Sequence, residues 1–131
     1  MENLVKELSS NLGKPFNNSG EYMLDGEFPH KKLNLGENLQ VIVKNDVVLG
    51  YMVTSFYTTS EKAAGLRYYE GIKSFGNDWS NFVPKGSKFN EEIYFKKNNI
   101  VVMIPQPITG IDNNKTGDFY SFIISFEDLY N

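Results

Sequence analysis

The sequence predicts an α+β domain: a largely antiparallel sheet of about five strands with two helices, 2–12 and 59–75. Three observations carry that expectation. Between Leu39 and Tyr57, two β-rich segments flank Asn45-Asp46, residue types that tolerate the left-handed backbone of a two-residue hairpin turn. Apolar residues recur at helical spacing near the start of the chain and again after Thr58. The remaining apolar runs are short, rich in aromatic and β-branched residues, and divided by Asn, Gly and Pro.

In chain order, Glu2 to Leu12 reads as a short helix with Leu4, Val5, Leu8 and Leu12 on one stripe. Gly13 stands where a left-handed C-terminal cap is wanted, and Pro15 prevents continuation. Glu21–Leu24, the turn pair Asp25-Gly26 and then Glu27-Phe28 suggest a small hairpin that Pro29 ends or keeps at an edge. In the long hairpin, Leu39, Val41 and Val43 share a face. Its second arm places Val47, Leu49, Tyr51 and Val53 on one face and Val48, Met52 and Phe56 on the other. With both faces apolar, that arm belongs in the middle of the sheet, and Gly50 marks a bulge or a close backbone approach.

Thr58-x-x-Glu61 has the form of a capping box and opens the main helix, whose expected buried stripe is Ala63, Leu66, Tyr69 and Ile72. Gly65 and Gly71 lie inside it. Each costs about 1 kcal/mol against Ala unless it lets the helix approach the sheet. Gly76 to Asn90 reads as a loop carrying Trp79 and Phe82. A second hairpin follows: Glu91–Lys96, a Lys97-Asn98-Asn99 turn, and Ile100–Ile104. Ile108 to Asp118 reads as a polar loop. Phe119–Phe126 fits either a strand or a helix, and its aromatic and β-branched content favours the strand.

At 131 residues the chain is long enough for one domain with its own core. It has no Cys, which excludes a disulfide framework and thiolate chemistry. A net charge of −3 argues against general binding to nucleic acid, although Arg67-Tyr68-Tyr69 and Tyr94–Lys97 mix basic and aromatic residues. No run reaches the length of a membrane span, and the start lacks the pattern of a signal peptide. The expected location is therefore cytoplasmic, the alternative being a mature exported domain.

Chemistry-bearing motifs are few. His30 is the single histidine, and Phe28-Pro29-His30 reads as a surface loop without a partner for a general base. Asp112, Asn114, Thr116 and Asp118 occupy the spacing of a calcium loop, but Ile123 stands where the bidentate Glu belongs. A polar turn between strands is the simpler reading. Glu91 and Glu92 are adjacent and cannot act as a pair on a strand. No nucleotide-binding glycine pattern is present, and no cofactor is expected.

The aromatic density around Trp79 and Phe82, beside Tyr68 and Arg67, has the make-up of interface anchors. The same rings could instead fold back over the end of the sheet. These observations favour a non-enzymatic protein-binding module of accessory, inhibitor or immunity type, with a protein partner. The alternative is an extracytoplasmic domain holding a sugar, lipid or peptide in an aromatic-lined cleft. An enzyme using a carboxylate or a Tyr is a third reading, for which no carboxylate stands out.

Overall fold

The computed structural model describes residues 2–75, 79–84 and 92–130. Helix α1 (Glu2–Asn11) and helix α2 (Lys62–Ser74) accompany eight strands: β1 (His30–Lys32), β2 (Asn38–Lys44), β3 (Val47–Thr58), β4 (Ser80–Asn81), β5 (Ile93–Lys97), β6 (Ile100–Ile104), β7 (Ile108–Asp112) and β8 (Lys115–Phe126). They form one sheet in the order β1-β2-β3-β8-β6-β5-β4, with β7 also paired to β8. Every pair is antiparallel. The α+β class and the two helices are as expected, whereas the sheet has eight strands rather than about five.

The three added strands have physical reasons. Strand β1 begins only after Pro29, so His30 sits on an edge strand paired with β2, not in a loop. Ahead of it, the arms expected around Asp25-Gly26 shrink to a single bridge. Met23 N–H donates to the His30 carbonyl at 2.7 Å, and His30 N–H donates back at 3.0 Å. Strand β4 takes two residues from the Trp79 loop and pairs them with β5. Strand β7 replaces the expected polar loop, with Asn113 and Asn114 as a two-residue turn at φ 51° and 65°. The other parts of the expected Gly76–Asn90 loop, and Glu91, fall outside the described residues.

The long hairpin turns at Asn45 and Asp46, both at positive φ (54° and 63°). Its register shifts once: Ile42 pairs with Gly50, then Val43 with Val48, leaving Leu49 as the extra residue of a bulge. Beside the bulge, β8 approaches Gly50 closely. A Cβ on Gly50 would lie 2.8 Å from the Ile124 carbonyl oxygen. The bulge reverses the expected face of Val48, which joins Tyr51 and Val53 in the core instead of Met52 and Phe56.

Both helices pack on one face. Val5, Leu8 and Leu12 from the α1 segment, and Ile72 and Phe75 from the α2 segment, cluster with Leu39, Val41, Val53, Phe122 and Ile124. Gly13 takes φ +81° as the C-terminal cap of α1, and its N–H donates to the Val48 carbonyl at 2.8 Å. Thr58 caps the turn Thr59–Glu61 that leads into α2. Its backbone N–H and its hydroxyl donate to Glu61 Oε1 at 2.9 and 2.8 Å, which holds that carboxyl below its usual range.

The buried stripe of α2 differs from the expected one. Leu66 is 47% exposed and Ala63 is also exposed, while Gly65, Ile72 and Phe75 are buried. Gly65 decides the rotation, because an added Cβ there would lie 2.9 Å from the Tyr120 ring. A residue without a side chain permits this close approach, and the Gly65 face turns inward.

Candidate functional site

Neither α1 nor α2 packs on the second face of the sheet. Cross-strand register puts Gln40, Met52 and Ile123 on it in one row, and Asn38, Thr54 and Ser121 in the next. The turn Glu127–Tyr130 covers its far end, where Val101 and Ser125 are fully buried. Phe82 belongs to that covering, with its ring edge-on to Tyr94 and to Tyr130, each at 6.2 Å.

The near end is open and forms a groove of about 680 Å³. One wall is the segment Met23–His30. Gly26 turns at φ +88° and returns the chain so that Phe28 faces the sheet. The floor is Phe56 and Phe119, cross-strand partners with ring centroids 4.7 Å apart. Asn38, Gln40 and Thr54 line it with amides and a hydroxyl. Thr54 Oγ1 lies 3.2 Å from Ser121 Oγ. The lining includes Met23 at 51% exposure.

His30 stands in the groove wall, and here it has the partner that the sequence did not reveal. Its Nε2 lies 3.2 Å from Asp25 Oδ1, and its Nδ1 lies 3.4 Å from the Phe28 carbonyl oxygen. Both ring nitrogens therefore face acceptors within the wall. This arrangement orients the ring within the wall. The signal in the sequence was Asp25, five residues before His30 across a Gly turn.

The calcium-loop residues do not converge. Asp112 pairs with Lys115 on the groove side, whereas Thr116 and Asp118 occupy the other parity of β8 and face away from it. The Asp118 carboxylate accepts the Thr109 hydroxyl at 2.9 Å. A two-residue hairpin turn leaves these oxygens on opposite faces, too far apart in direction to share one ion. Among the described residues no group of three His, Asp or Glu side chains is placed to hold a metal.

The four expected anchors also separate. Trp79 packs on Phe75 (5.9 Å, edge-on) on the helix face, opposite Phe82. Tyr68 lies inside a ring cluster with Tyr57 and Tyr120, and its hydroxyl donates to Glu37, a buried carboxylate, at 3.1 Å. Burial pushes the Tyr68 phenol far above its ordinary value, and the neighbouring Glu37 charge adds to the rise. Arg67 is exposed on the outer side of α2.

A second concavity, of about 370 Å³, lies between α1 and the β5–β6 turn. Its lining includes Val5, Ser9, Phe75, Trp79 and Ile100. Among the described residues no helix is long and apolar enough to cross a membrane. Compared with family models, with curated proteins and with solved structures, the chain shows no match.

Proposed function

We propose that the chain is a non-enzymatic protein-binding module whose docking surface is the open groove of the second sheet face, and that it takes an extended segment of a partner protein. The observation that carries this reading is the composition of the groove. Three phenylalanines, Phe28, Phe56 and Phe119, line it together with Asn38, Gln40 and Thr54, exposed Met23 and the charged Asp25, Glu27, Lys32 and Asp112. Side-chain amides both donate and accept, which is what a peptide backbone requires on both of its polar groups. Aromatic rings in the same lining offer sites for alternate side chains of an extended strand.

The test is a random-peptide display selection on the parent protein, repeated on Gln40→Lys and on Arg67→Ala. Gln40 is half-buried in the groove and Arg67 lies on α2. We expect enriched peptides rich in apolar residues, whose binding falls at least about tenfold in Gln40→Lys, near 1.4 kcal/mol, and is unchanged in Arg67→Ala. Absence of enrichment, or peptides indifferent to Gln40→Lys, would reject the reading.

A further inference from the structure

The concavity beside Trp79 has a different chemistry from the groove. Its floor is apolar: Val5 on α1, Phe75 at the end of α2, Trp79 and Ile100. Among the described residues, one side-chain polar atom is buried with no hydrogen-bond partner, and it is Ser9 Oγ in this lining. A buried hydroxyl without a partner is destabilising, so it marks a place where a partner from outside would be welcome. Lys6 stands three residues before Ser9 on the same face of α1, and Lys97 stands across the opening at the end of β5. Lys31, Lys73 and Lys96 are each spent on a carboxylate, whereas Lys6 and Lys97 enter no ion pair among the described residues. Glu2 is the single acid of the lining, so positive charge prevails at the mouth.

We propose that this cleft binds an amphipathic carboxylate: an acyl or aryl body against Trp79, Phe75, Val5 and Ile100, with its carboxylate held by Lys6 and Lys97 and accepting a hydrogen bond from Ser9. The volume is within the range of small-molecule sites. A charged head at an open mouth keeps much of its hydration, so the apolar body supplies most of the affinity and the lysines supply the choice of head group. This site is separate from the groove, and the two assignments stand or fall independently.

Trp79 is the only tryptophan, so its fluorescence reports on the cleft directly. The experiment titrates the full chain with sub-micellar decanoate and, in parallel, with decanol as the neutral counterpart. We expect a saturable change in Trp79 emission with decanoate, at an affinity about tenfold above that for decanol. Lys6→Gln combined with Lys97→Gln should remove that difference while decanol binding persists. Both lysines are exposed, and decanol in the same variant verifies that the cleft is intact. Ser9→Ala should keep or raise the thermal midpoint and weaken decanoate about threefold. The proposal is overturned if decanoate produces no saturable change, if decanoate and decanol bind alike in the parent, or if the double variant discriminates as the parent does. Decanoate binding that is unaltered in Ser9→Ala overturns the role given to that hydroxyl.

Discussion

Two glycines of α2 show how one residue type carries opposite meanings. Gly65 faces the sheet, where a Cβ would lie 2.9 Å from the Tyr120 ring and 3.1 Å from Tyr57 Cβ. Gly71 is exposed, and a Cβ there would meet nothing within 4 Å. Gly65→Ala must push the helix away from β3 and β8 and should destabilise by about 1–3 kcal/mol. Gly71→Ala gains helix propensity with no steric cost and should stabilise by about 0.8–1 kcal/mol. Urea unfolding of the two variants checks this, and shifts of the same sign would show the helix to be seated differently. The sequence allowed both meanings, close approach or simple cost, but not their assignment, because that depends on which face of α2 meets Tyr120, more than fifty residues away. The same limit hid the bulge at Leu49. Gly50 was legible as a possible bulge, yet the carbonyl that crowds it belongs to β8.

Turns decide how many elements can be read. Asn45-Asp46 was legible because strongly apolar strands flank it on both sides. Asn113-Asn114 has the same left-handed geometry, but its flanks, Ile108–Asp112 and Lys115–Asp118, are short, each is interrupted by a glycine, and they carry Asp and Lys among their few apolar residues. Such a stretch resembles a loop, and its oxygen-rich side chains resemble a calcium site, until pairing with β3 on one side shows the first half of β8 to be a sheet-interior strand. The hairpin assignment predicts that Asn114→Gly, which produces the Asn-Gly pair favoured in this turn type, raises stability by about 0.5–1 kcal/mol. A metal-ligand role for Asn114 predicts instead a loss of calcium-dependent stability. Thermal unfolding of parent and variant with and without calcium distinguishes them: a higher midpoint for Asn114→Gly in both conditions supports the hairpin, and a lower midpoint only in calcium refutes it. The strands that bury both neighbours were the legible ones, and the edge pieces β1, β4 and β7, held by pairing rather than by their own composition, were not.

At the scale of the whole molecule, partly buried tyrosines stand on both faces of the sheet, and that sets how the fold responds to alkali. Burial pushes Tyr51 up to about 12 from an ordinary 10.0, and the phenols of Tyr57, Tyr68, Tyr94, Tyr120 and Tyr130 are also raised, each first by burial. Neighbouring carboxylates add to this: Glu37 beside Tyr57 and Tyr68, and Glu92 beside Tyr94, whose hydroxyl donates to it at 2.6 Å. A group whose folded-state pKa lies above its unfolded value keeps its proton longer when folded. Its contribution to stability is therefore complete below the unfolded value and is lost as pH rises through the folded one. Tyr68 and Tyr51 stand on the helix face while Tyr94 and Tyr130 stand on the other, so the same penalty acts on both layers at once. Stability should be level between about pH 8 and pH 9 and fall steeply above about pH 10. Phenolate absorbance should rise together with the loss of sheet circular dichroism, in one transition. Tyr68→Phe removes a phenol that can only ionise on unfolding and should move the alkaline midpoint upward. It also leaves the buried Glu37 carboxylate without its donor, so at neutral pH the variant should be less stable than the parent. Crossing stability curves for parent and Tyr68→Phe are the expected result. Phenolate absorbance that appears well before the circular dichroism changes would show the tyrosines to be open to water in the folded chain.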